Sequence, residues 1–123
     1  MKNQPNSIPE GVQNRALSIK QPFVEKILRG IKTYEIRDRA VNIRGRVYLY
    51  ASMTPGPLDE FEDLDAKPGD FPTGILAGTV EIVGCEKKGE KVYHWLLERP
   101  QRLSGSLKPE NKPQPIWFIP FRR

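Results

Sequence analysis

The stretch GIKTYEIR, residues 30–37, places Lys32, Glu35 and Arg37 on a short segment that reads as a β-strand. Strand alternation sends Glu35 and Arg37 to one face together with Thr33, and Tyr34 and Ile36 to the other. A carboxylate held by a guanidinium, with an ammonium at the strand entrance, tolerates a partly buried cleft better than a lone charge does. Glu35 can then accept a hydrogen bond from an exocyclic base amine, while Lys32 and Arg37 reach phosphate or a base carbonyl. Lys20 and Gln21 of SIKQP, and Ser52 at the end of RVYLYAS, can add contacts to such a ligand. Arg44 and Arg46 flank the turn residue Gly45 and can grip backbone phosphate. The same residues also permit a plainer arrangement, in which Glu35 and Arg37 brace the fold as an ion pair and Lys32 is solvated.

If the chain is an enzyme, Lys32 is the attractive base, with Glu35 or Ser52 assisting. Other catalytic templates find no support. The single histidine, His94, lies in YHWLL with no serine or cysteine constellation around it, and no glycine-rich phosphate loop is present. Neither a structural metal nor a cofactor is expected, because His94 and the single Cys85 supply too few soft ligands. The acidic run Asp59, Glu60, Glu62, Asp63, Asp65 lacks the glycine and terminal glutamate of a calcium loop and reads as a solvated face.

The elements that must position these residues follow from periodicity and turn signals. Residues 1–13, polar and holding two prolines, form the expected flexible lead-in to a single domain over 14–123. A strand at Arg15–Ile19 leads to a helix from Pro22 to Arg29, closed by Gly30. Strands are expected at KTYEIR, at Arg46–Ser52 and at Thr73–Cys85, where Gly78 marks a bulge or a close backbone approach. Between the last two, Leu58, Phe61 and Leu64 form the inward stripe of an acidic helix or loop. KVYHWLLERP reads as a helix stopped by Pro100 with Val92, Trp95 and Leu96 inward, and QRLSGSL and PIWFIPF read as extended. Short interleaved strands of this kind suggest a small, mostly antiparallel barrel, since closure removes exposed edges.

Composition bounds the partners. The 123 residues suit one hydrophobic core, and an apolar fraction of 37% with 28% charged residues describes a folded, water-compatible chain. No run of about 18 apolar residues exists, so no membrane contact is expected. MKNQPNSIPEG lacks the apolar centre of a signal peptide, which implies a cytoplasmic location, or a nuclear one in a eukaryote. The net charge is +5 and unevenly spread: residues 29–46 carry six basic side chains against Glu35 and Asp38, and residues 58–70 carry six acids against Lys67. A segregated positive region attracts polyanions.

GIKTYEIR matches the G-x-K-x-x-E-x-R hallmark of the ASCH domain, the activating-signal-cointegrator homology domain of the PUA-like superfamily, through Gly30, Lys32, Glu35 and Arg37. SIKQPF, RGRVYLYAS, GILAGTVEIVGC and HWLLERPQRL…PIWFIP resemble the family in the same order, over about residues 15–120. The resemblance implies an α+β, mainly β fold: a small PUA-like mixed or antiparallel β-barrel flanked by two or three helices, with a cleft beside the first helix. It implies RNA or DNA as partner, met by the motif residues Lys32, Glu35 and Arg37; with the contacts read above for Lys20, Gln21, Arg44, Arg46 and Ser52, RNA or single-stranded DNA is the favoured ligand. Related small proteins hydrolyse RNA or deacylate N4-acetylcytidine, so an RNA-directed hydrolase using Lys32 and Glu35 is the alternative. The amidohydrolase relatives carry threonine where Glu35 stands, a departure that counts against deacylation here. A protein-interaction module using the acidic segment or the aromatic C-terminus is a third reading.

Overall fold

β1 (Val12–Lys20) runs parallel to β3 (Gly45–Ser52), with Lys20 opposite Ser52, although the two are separated in sequence by α1 (Phe23–Leu28) and β2 (Tyr34–Arg37). Parallel neighbours need a crossover connection, and here that connection carries the charged motif. The computed structural model describes residues 11–122, so most of the expected lead-in lies outside the described residues. After β3 come α2 (Leu58–Glu62), β4 (Ile75–Gly89), β5 (Val92–Leu107) and β6 (Trp117–Phe118). The strands form one sheet in the order β2-β5-β4-β3-β1-β6, with every pairing antiparallel except β1 with β3. Repeated register shifts between β4 and β5 curl it into a half-barrel with two short helices, the mainly β architecture expected. No helix among the described residues is long and apolar enough to cross a membrane.

Both faces of β3 are covered, which is why RVYLYAS is apolar at nearly every position. Val47, Leu49 and Ala51 join Leu17, Ile19, Trp95 and Leu97 in the larger core, against Val24 and Ile27 of α1. Tyr48 and Tyr50 point the other way, into a smaller cluster with Ala16, Leu76 and Phe118. Cys85 is half-buried against the larger core, as a small hydrophobe would be.

Tyr48 is nearly fully buried, and its hydroxyl finds no hydrogen-bond partner among the described residues. Burial pushes its pKa up to about 12. An unpaired buried hydroxyl costs desolvation without return, so Tyr48→Phe should raise stability by about 1 kcal/mol. Denaturant unfolding checks this; a variant less stable than the wild type would show that the hydroxyl is bonded in solution.

The helix expected over KVYHWLLERP is instead the first part of β5. Trp95 and Leu97 are buried in alternation, and Tyr93–Leu96 pair with all of β2. Pro100 does not stop the strand, because it sits beside a register shift where Arg99 takes φ 53° and no ladder hydrogen bond is needed. In α2 only Phe61 turns fully inward. Leu58 is 58% exposed, contrary to the expected stripe, because the helix is five residues long and Leu58 opens it.

α1 is fastened at both ends. The Gln21 side-chain oxygen accepts the Glu25 N–H, its amide donates to the Pro72 carbonyl, and Gly30 closes the helix at φ 78°. From β5, Arg102 donates to both oxygens of Glu25 at 2.9 and 3.0 Å, and Arg29 adds a third bond. Burial pushes the Glu25 carboxyl pKa up, but the guanidiniums of Arg102 and Arg29 outweigh it and hold it below the usual carboxylate value.

Candidate nucleic-acid interface

β2 has four residues and lies at the end of the sheet, so its alternation decides what faces the barrel interior. Tyr34 and Ile36 point out, with Tyr34 stacked on His94 at 4.1 Å between centroids. Glu35 points in and is 8% exposed. Arg37, on the same face, donates to one Glu35 oxygen through Nε at 2.9 Å and approaches it through Nη2 at 2.8 Å. That Nη2 also donates to the Ser18 carbonyl at 3.1 Å, and the guanidinium lies 5.6 Å from the Trp95 ring centroid. Arg37 therefore bridges from β2 to β1 across the open side of the half-barrel.

The other Glu35 oxygen faces Lys32 Nζ at 3.6 Å. The ammonium also lies 5.2 Å from the centroid of Phe23 and 5.6 Å from that of Tyr34. The expected bracing pair is thus present, but Lys32 is not solvated: it stands between a carboxylate and two ring faces, the surroundings that suit a cation. Phe23 accordingly divides its surface between the core and the site. A cleft of about 480 Å³ opens over Lys32, Tyr34, Glu35 and Phe23, within the size range of small-ligand pockets.

The far wall of the cleft was not legible as part of the site. Lys26 of α1 and Glu60 of α2 line it, and Lys26 Nζ pairs with both Glu60 and Asp63. Burial opposes the lysine charge, yet the two carboxylates outweigh it and raise its pKa. Part of the acidic run is therefore a clamp on α1 and not a solvated face. The run's excess of acid beside a basic segment was the available signal.

A family model for the ASCH domain matches residues 17–119. The chain belongs to the ASCH family. Two relatives agree: this ASCH domain is 31% identical over 127 residues to the protein named Activating signal cointegrator 1 of Homo sapiens, and 33% identical over 127 residues to that of Mus musculus. Each alignment takes in 84% of this chain but only 22% of the relative, so the domain corresponds to about a fifth of those proteins.

The ASCH domain brings Lys32, Glu35 and Arg37 together and disperses the other candidates. Gln21 is buried, with its side chain committed to Glu25 and Pro72. Arg46 is pinned to Thr79 at 2.8 Å and to Glu81 at 3.1 Å. Arg44 is exposed and donates to the carbonyls of Val41 and Ile43. These two arginines stand at the start of β3, whereas Ser52 stands at its end, about 20 Å away at strand rise. Lys20 and Ser52 line a separate cleft on the side of Ser18 away from its strand neighbours in the larger core. A continuous basic rim around one cleft, as expected from composition, is not what the fold builds.

Proposed function

We propose that this ASCH domain binds nucleic acid by taking a base of a single strand, RNA or DNA, into the Lys32–Glu35 cleft. The observation that carries the reading is a buried carboxylate fixed between two cations at a cleft with aromatic walls. Glu35 retains lone pairs for an exocyclic amine, Lys32 supplies charge to a base carbonyl or phosphate, and Phe23 and Tyr34 offer ring surface to the base. Single strands suit such a site because their bases are free to leave the stack.

Labelled single- and double-stranded RNA and DNA, followed by fluorescence anisotropy at stepped salt, test this. Binding of the single strands should weaken steeply with salt, and Lys32→Ala should weaken it about tenfold while the circular dichroism spectrum is unchanged. Undiminished binding in the variant would remove the cleft from the account. The same RNA, and N4-acetylcytidine, incubated with both proteins test the hydrolase alternative: turnover lost in Lys32→Ala would install it, and equal turnover would indicate a contaminant. Binding only to a protein partner would favour an interaction module.

A further inference from the structure

We infer that a second cleft, beside Ser18 on β1, receives the phosphodiester backbone of the same strand, an inference that rests on the base-binding reading above. The cavity holds about 500 Å³ and is lined by Lys20, Ser52, Thr54, Lys112 and Gln114, with no carboxylate among its lining residues. That composition contrasts with the first cleft, where Lys26 and Lys32 are both paired with acids. The side chains of Lys20 and Lys112 are exposed and have no hydrogen-bond or ion-pair partner among the described residues. The nearest acid in sequence to Lys112, Glu110, is occupied by the Arg122 N–H at 2.8 Å.

The two lysines line one cavity because the chain near its end is tied to β1. Ser18 Oγ donates to the Gln114 carbonyl at 2.7 Å, and the Ser18 N–H donates to the Ile116 carbonyl at 2.9 Å. Ser52 Oγ accepts the Thr54 N–H at 3.3 Å, which leaves its own O–H to donate. Ammonium and hydroxyl donors without a competing acid suit an anion. Exposed Met53, with Pro113 and Pro115, gives the apolar surface that a sugar edge covers and a free phosphate does not.

Ser18 also links the second cavity, which it lines, to the first cleft through one intermediary: its carbonyl holds Arg37, and Arg37 holds Glu35 of the first cleft. A strand with its base beside Glu35 would thus pass Arg37 and meet Lys20 and Lys112 next. Phosphate contacts of this kind set position and affinity and carry no base preference.

The test compares wild type, Lys32→Ala, the double variant Lys20→Gln/Lys112→Gln and a control double variant Lys67→Gln/Lys91→Gln on a labelled single-stranded RNA across a salt series. Two lost phosphate contacts should lower affinity about tenfold at low salt and reduce the slope of log K against log salt by about 1.4. The control should stay within about twofold of the wild type. An unchanged slope in Lys20→Gln/Lys112→Gln, with Lys32→Ala still weakened, overturns the second cleft and leaves the first standing. An equal loss in the control reduces the effect to net charge and also overturns it. Failure of the wild type to bind any single strand removes the base-binding reading and this one with it.

Discussion

Glu35→Ala is expected to lower the free energy of unfolding by about 3 kcal/mol, read from urea denaturation of the variant and the wild type. The carboxylate is the only acid that the described structure places against Lys32 or Arg37, and both cations are largely shielded, at 18% and 19% side-chain exposure. Its removal leaves two neighbouring positive charges with reduced access to water and frees Arg37 from the geometry that points it at Ser18. Losing one member of a buried pair costs more than replacing the whole pair by apolar groups. The double variant Glu35→Leu/Arg37→Met should therefore recover about half of the loss. A Glu35→Ala protein within about 1 kcal/mol of the wild type would mean that the cluster does not brace the barrel.

Gly78→Ala is expected to cost about 3 kcal/mol, at the upper end for overpacking, with unfolding again the measurement. A Cβ at this position would stand 2.5 Å from the Gln101 carbonyl oxygen and 2.5 Å from a methyl carbon of Leu28. Leu28 could rotate aside, but the carbonyl belongs to the paired strand β5 and can move only with it. Register shifts in both neighbouring pairings occur next to Gly78, so the missing side chain is what lets β3, β4 and β5 pack here beneath α1. Gly84→Ala is the comparison: its added carbon would meet only Leu96 side-chain carbons, the nearest at 3.1 Å, and should cost less. Equal losses at the two glycines would contradict this account.

The elements that were legible in the sequence were those with local signatures. Alternation placed Glu35 and Arg37 on one face of β2, Gly30 closed α1, and a close approach at Gly78 followed from a glycine inside a strand pattern. β5 was hidden because Val92, Trp95 and Leu96 fit a helical face as well as they fit a strand. What decides between them is the presence of β2 and β4 on either side, which no local pattern reports.

The site divides in the same way. Lys32, Glu35 and Arg37 are close in sequence and were readable together. The second ring against Lys32, the Lys26–Glu60 wall and the placing of Lys20 and Lys112 in one cleft depend on long-range packing. Arg46 was read as a possible grip on backbone phosphate, and only the cross-strand neighbours Thr79 and Glu81, far away in sequence, show that it is committed elsewhere.

The side-by-side, same-direction pairing of β1 and β3 has a further consequence for how this molecule gains its competence. Every residue proposed to touch a base lies in the arch joining those two strands, and the parallel pairing of its feet needs that whole crossover in place. Formation of the cleft and topological closure thus arrive in one event, so a half-assembled chain has no pocket to offer and only its net charge of +5 to attract a polyanion.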